Sequence, residues 1–402
     1  MAMVMKWEVK LAKNNEKTLK LNNIYIYSTY RPCESVEKWI KAEVDTKIDN
    51  YLLIGLGLGY HLKSLFNYTK NKKIIVYYFN QEELSLFYEN NSDGWWKADN
   101  IQIVDTLKEI EFKSFQVLIP NSWLTAIGET HPLFSLLEII KITQNSYKNN
   151  ADKMSENFRL NSLLGDASFK KMQHEKVICL VAAGPSLDKT IDWLKLYKEK
   201  IDIFAVGAVL KKLLMNEIIP TAIVLTDAND VVKSQIDNCG FTGDLYYLST
   251  ANHTFVKLHQ GPRYIMYQEG YTEAEEVAQK YNYPMIETGG SVATATLSLI
   301  EALGYKHLIL FGLDLGFESD KTHADFTNSV FEGSKEKFRK IVANDGSVIN
   351  THAMFQVFLQ WFNEKMKDSE LNVYNTAEKG AKINQVPLID KKTFEEIVCN
   401  NY

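Results

Sequence analysis

The chain has 402 residues, 46% hydrophobic and 24% charged, a globular composition that excludes a disordered chain and has length for two or three domains. Its net charge of −5 at pH 7 supplies no overall field for nucleic acid or an anionic membrane. No apolar run approaches the roughly 18 residues of a membrane span, and the opening residues lack the apolar core of a secretion signal. Membrane insertion and secretion are therefore not expected, and the cytoplasm is. Cys33, Cys179, Cys239 and Cys399 are far apart and form no CxxC, which agrees with reduced thiols.

The stretch YLLIGLGLGY from Tyr51 predicts a strand, a tight glycine turn and the start of the helix HLKSLF. KKIIVYYFN predicts the next strand, QEELSLFYEN a helix, and IQIV and FQVLIP two further short strands. Strand, turn, helix and strand in alternation read as a doubly wound parallel sheet. From Pro132 to Leu164 the periodicity is helical, with Leu133, Leu136, Leu137, Ile140 and Ile142 on the apolar face. The polar stretch Gly165–Lys176 reads as a linker or domain boundary.

A second alternating series follows. VICLVAAG, IDIFAVG, TAIVLTD, DLYYLST, RYIMYQ and HLILFGLDL predict strands; SLDKTIDWLKLY, AVLKKLLMN and SVATATLSLIEALG predict helices. Apolar runs without alternation imply strands covered on both faces. A helix around HAMFQVFLQWFNEKM and a strand at NVYN close the series. The expected architecture is α/β, with two tandem Rossmann-like doubly wound domains. Residues 1–130 form the first, 131–176 a helical connector and 177–330 the central domain, which the helix and strand within 331–402 complete.

Gly55, Gly57 and Gly59 stand where a dinucleotide or S-adenosylmethionine turn belongs. Phe79 and Asn80 occupy the end of the next strand, where such a site wants an acid, and Glu82 comes only in the following turn. A tight packing turn without ligand is the favoured reading. The second signal is stronger: Ala182-Ala183-Gly184 ends a buried strand, Pro185 starts a turn and Ser186 caps a helix beginning at Leu187. Small residues admit a phosphate to the backbone, and a helix N-terminus offers free N–H donors. A plain strand–helix turn is the alternative. Thr288, Gly289, Gly290 and Ser291 open another helix, while Gly207, Asp227 and Asp314 each follow a strand. Ligands of open parallel sheets lie outside the strand carboxyl ends, at a switch in strand order, so these residues are expected on one rim.

The ordered blocks AAGPSLD, TGGSVATATLSLIEALGYKHLILFGLDLGF, KTHAD and NVYNTAEKGA resemble the motility-associated-factor glycosyltransferases of flagellated bacteria. GLGLGYHL with KKIIVYYFN resembles that family's N-terminal domain, and the central blocks are distantly similar to bacterial CMP-sialic-acid sialyltransferases. The resemblance implies transfer of a CMP-activated nonulosonic acid, of pseudaminic or legionaminic type, to Ser or Thr of flagellin. It implies nucleotide contacts from Gly184, Pro185, Ser186, Leu187, Gly207, Asp227, Thr288, Gly289, Gly290 and Ser291. Asn229, Thr322, Asn375 and Thr376 would meet sugar or acceptor. Asp314, with His323 or His352 as the base, would carry the chemistry. Many members continue into a helical C-terminal domain; without one, acceptor recognition is expected to differ.

A single leaving phosphate requires no cofactor, and Mg²⁺ is admitted rather than needed. The nearest approach to a DxD metal motif is Asp227-Ala228-Asn229-Asp230. Arg159, between Asn157 and Asn161, either reaches a sugar carboxylate or pairs with an acid. A homo-oligomer is compatible with all of this. A related domain in 6-hydroxymethylpterin pyrophosphokinases supplies a rival that uses ATP and Mg²⁺, and a non-catalytic flagellin-binding factor is a third reading.

Overall fold

In the computed structural model the chain divides into two compact units, Met1–Asn145 and Ser146–Tyr402. The structure describes residues 5–108, 110, 112–172, 174–230, 239–318, 321–327 and 338–400.

The first unit opens with an antiparallel ribbon of β1 (Trp7–Leu11), β2 (Lys17–Leu21) and β3 (Ile24–Tyr25). Its alternating Lys and apolar residues pack one face inward, and this ribbon was not foreseen. The predicted parallel sheet follows, formed by β4 (Asn50–Ile54), β5 (Lys73–Tyr77), β6 (Ile101–Val104) and β7 (Gln116–Leu118). Its spatial order is β6-β5-β4-β7, with every pairing parallel. Helices Tyr60–Thr69 and Gln81–Asn90 make the crossovers. One uninterrupted helix, Phe134–Ser162, carries the chain from the first unit into the second.

The second unit is built on one long parallel sheet. Its strands are β8 (Ala167–Ser168), β9 (Ile178–Val181), β10 (Asp202–Val206), β11 (Ala222–Leu225), β12 (Asp244–Leu248), β13 (Arg263–Gln268), β14 (Met285–Ile286) and β15 (His307–Phe311). A short antiparallel hairpin of β16 (Arg339–Val342) and β17 (Val348–Thr351) comes before the last sheet strand, β18 (Asn372–Asn375). The order is β14-β13-β12-β11-β10-β9-β15-β18, with β8 beside β13. The chain thus steps outward from β9 to β14, then returns to place β15 on the other side of β9.

Helix Val292–Leu303 makes that return. It is apolar almost all round and buried along its length, as a helix covered by a sheet must be. β9 and β15 have no exposed side chain apart from half-buried His307, which is why their runs read as continuous apolar stretches. The stretch Gly165–Lys176 is not a free linker: β8 pairs with β13, Phe169 is buried, and Met172 N donates to Leu303 O at 2.9 Å.

Candidate functional site

The strand order reverses at β9, between β9 and β15, and doubly wound sheets hold ligands outside the strand carboxyl ends at such a switch. Two sequence blocks meet there. Gly184 N donates to Gly312 O at 2.7 Å, and Ser186 N donates to Asp314 Oδ2 at 3.0 Å. The fit leaves no room for a side chain at 184: a Cβ would fall 1.9 Å from Asp314 Oδ2. Asp314 is 5% exposed. Burial pushes its carboxyl up to about 6, opposed by the Ser186 hydrogen bond.

This corrects the cradle drawn from sequence. The Gly184 and Ser186 amides are engaged within the protein, so a phosphate does not find them free. Ser186 is in helical conformation and makes no side-chain cap, and its hydroxyl is buried without a hydrogen bond of good geometry. Leu187 is fully buried in the core rather than facing a ligand. Gly207 is also buried, at the start of a short 3-10 turn after β10.

The segment carrying Thr322 and His323 lies against the same turn: Ala324 N donates to Ala183 O at 2.8 Å. Thr322 Oγ1 is 2.9 Å from His323 Nδ1. Burial first, and then the charge of His352, hold His323 below the ordinary histidine range, so it is a neutral acceptor near pH 7. The two candidate bases are thus electrostatic neighbours. His352 is 2% exposed and surrounded by Phe317, Phe338 and Phe355, with ring centroids 5.0, 5.2 and 5.6 Å away. His323 is the more accessible of the two.

His352 also starts helix Ala353–Asp368, whose next turns reach the third block. Trp361 packs on Gly289, and its Nε1 donates to Glu287 Oε1 at 3.0 Å. Ser291 closes a capping box with Thr294, whose hydroxyl also reaches Thr288 O. Gly289 and Gly290 thus pack against this helix, and the polar groups of the 288–291 turn are largely engaged within it.

Other expected site residues serve the scaffold. Asn375 is buried and its Oδ1 accepts from Ala377 N at 2.9 Å; Thr376 Oγ1 donates to Leu310 O at 2.9 Å. Asp227 Oδ1 accepts from Asn229 N, and Asn229 is held by Lys153 and Asn150 of the long helix. Arg159 pairs with Glu156 at 2.8 Å on the surface, the plainer of its two readings. Among the described residues, no three His, Cys, Asp or Glu side chains converge as a metal site.

Asn161 braces the rim. Its Nδ2 donates to Ser249 O and Ala251 O at 3.0 and 2.8 Å, and its Oδ1 is 3.0 Å from His253 Nδ1. Asn161→Leu strands two buried carbonyls and is expected to cost about 2–3 kcal/mol in urea unfolding, whereas Arg159→Ala, at a solvent-exposed pair, is expected to leave the unfolding midpoint unchanged.

The glycine turn of the first unit is filled by the protein itself, a feature the sequence reading missed. Glu83, 0% exposed, accepts at Oε1 from Leu56 N and Gly57 N (2.8 and 2.7 Å) and at Oε2 from Phe79 N (2.6 Å). Trp123 packs so closely on Gly55 that a Cβ there would lie 2.1 Å from its ring. Asn80 caps the helix that carries Glu83. The amides that a nucleotide phosphate would use are thus satisfied by a carboxylate of the chain.

A family model described as 6-hydroxymethylpterin diphosphokinase MptE-like matches residues 145–320. Among solved structures, the chain is similar to the MAf glycosyltransferase from Magnetospirillum magneticum AMB-1, at 14% identity and a TM-score of 0.51, over 100% of this chain and 74% of that one. No curated protein matches. At this identity the structural likeness speaks for the fold: a mixed α/β architecture with parallel sheets, shared with that MAf glycosyltransferase.

Proposed function

We propose that this protein is a cytoplasmic glycosyltransferase that moves a CMP-activated nonulosonic acid, of pseudaminic or legionaminic type, onto Ser or Thr of flagellin. The observation that carries the reading is the meeting of the Gly184–Ser186 turn, buried Asp314 and His323 at the one point where the strand order reverses. The likeness of the whole chain to a MAf glycosyltransferase fold supports it.

In this reaction the bond from the anomeric carbon to the phosphate oxygen breaks, and its electron pair leaves with CMP. The acceptor hydroxyl forms the new bond and yields its proton to His323, which is neutral and partly accessible. Positive charge grows on the sugar ring in the transition state, and ionised Asp314, fixed in a desolvated setting, stabilises it. No metal has to bridge a single phosphate, so Mg²⁺ is not required.

Calorimetry and thermal shift with CMP, CDP, UMP and ATP, each with and without Mg²⁺, test the donor. CMP is expected to stabilise without metal, by about 2.7 kcal/mol at a hundred times its Kd. A flagellin transfer assay then separates the histidines: His323→Ala is expected to lose at least about 10²-fold in rate. The second reading, a pterin diphosphokinase, is favoured by the family model over 145–320; stabilisation by ATP with Mg²⁺ and not by CMP would establish it instead. Silence across the panel would favour a flagellin-binding factor without catalysis.

A further inference from the structure

One half-buried charge cluster joins two of the sequence blocks, and neither the donor nor the acceptor needs it. Asp188, in the first turn of helix Leu187–Tyr197, accepts from Lys212 Nζ at 2.5 Å and from Lys321 Nζ at 2.7 Å. Asp325 N donates to the same carboxylate at 3.1 and 3.2 Å. Lys212, only 6% exposed, also donates to Asp325 O at 3.0 Å, and Lys321 pairs with Asp325 Oδ1 at 2.9 Å.

An ammonium buried this deeply is costly unless paired, so Asp188 and Lys212 form a fixed base. The segment they grip runs from Lys321 to Asp325, with His323 at its centre and Ala324 N bonded to Ala183 O. Although burial works the other way, the bonds from Lys212, Lys321 and Asp325 N hold the Asp188 carboxyl below its ordinary value. It therefore stays ionised at neutral pH.

We propose that Asp188 is a positioning residue, which with Lys212 and Lys321 clamps segment 321–325 onto the Ala182–Ser186 turn and so keeps His323 at the β9–β15 switch point. Its catalytic consequence rests on the glycosyltransferase reading; the clamp does not. The charged groups facing Asp188 are Lys212, Lys321 and Asp325, with Asp314 close enough to feel its charge; His323 is faced by the Thr322 hydroxyl and by His352.

Hydrogen exchange on the full chain tests the clamp without substrate. In Asp188→Asn, and in Lys321→Met, which leaves the Asp188–Lys212 pair in place, the Ala324 and Asp325 amides are expected to exchange at least about tenfold faster, with the β9 amides unchanged. Unchanged rates at 324 and 325 would overturn it. In the flagellin assay each variant is expected to lose about 10²-fold in kcat with KM little altered, and to cost under about twofold in a His323→Ala background. Equal losses in both backgrounds would remove His323 as the object of the clamp. If the unaltered protein transfers no sugar, the glycosyltransferase reading falls, and exchange alone still decides whether Asp188 holds the segment.

Discussion

Asp314→Asn is expected to lower sugar transfer by about 10³-fold while the fold persists. The asparagine oxygen can still accept from Ser186 N, so the bond that seats the turn at 3.0 Å survives and only the charge is lost. A preorganised charge removed from a dry site costs rate on this scale. The pH profile identifies the group. Burial raises Asp314 to about 6, whereas burial and His352 lower His323. On acidification Asp314 takes up its proton and loses its working charge, and kcat should fall as pH drops through about 6. The Asn variant should lack that limb.

Stability runs in the opposite direction. A carboxyl that binds its proton more tightly when folded favours the fold most at low pH. That contribution declines as pH rises from about 3.8 to about 6, by about 3 kcal/mol in all. Urea unfolding of the wild-type protein and Asp314→Asn between pH 4 and 7 should show this slope only with aspartate present. A wild-type kcat flat across pH 6 would remove Asp314 from the chemistry.

The central strands of both sheets were legible because they are buried on both faces and bounded by glycine or polar turns, as in Ile178–Val181 and His307–Phe311, whereas the two-residue strands β8 and β14, each half exposed, were not. The candidate site residues could be placed in loops at strand ends. What a one-dimensional reading could not supply was who occupies whom. Ser186 and Asp314 are 128 positions apart, and nothing local announces that the aspartate fills the turn from which a phosphate cradle was inferred. His352 looked like an open base before a helix, yet its cage of Phe317, Phe338 and Phe355 comes from three separated segments. Asn375 and Thr376 sat at a strand end as expected, but Asn375 Oδ1 and Thr376 Oγ1 bond to neighbouring backbone. The β16–β17 hairpin, which carries the chain into His352, escaped notice because its strands are short and half exposed.

Glu83 is the clearest such case, since in sequence it is one of two acids in the first turn of a helix, a position normally solvated. Folding instead turns it under the glycine loop, and its removal is expected to be the most destabilising single change in the first unit. Glu83→Ala leaves the amides of Leu56, Gly57 and Phe79 buried without an acceptor, at a cost of about 3–5 kcal/mol. Glu83→Gln keeps one oxygen but points an NH₂ at a backbone donor, and should cost about half as much. Burial raises this carboxyl to about 7 against its three hydrogen bonds. Its contribution to stability therefore declines as pH rises from about 4.5 to about 7, by about 3 kcal/mol, and the Gln variant loses that dependence. Unfolding followed by tryptophan fluorescence in a Trp193→Phe, Trp361→Phe background, which keeps Trp123 on Gly55 and the other tryptophans of the first unit, reads the first unit. Formate should partly restore Glu83→Ala by taking up the vacated amides, while CMP affinity stays unchanged in Glu83→Gln. An alanine variant as stable as the original, or a loss of nucleotide binding with Glu83→Gln, would return the first unit's glycine turn to the list of ligand sites.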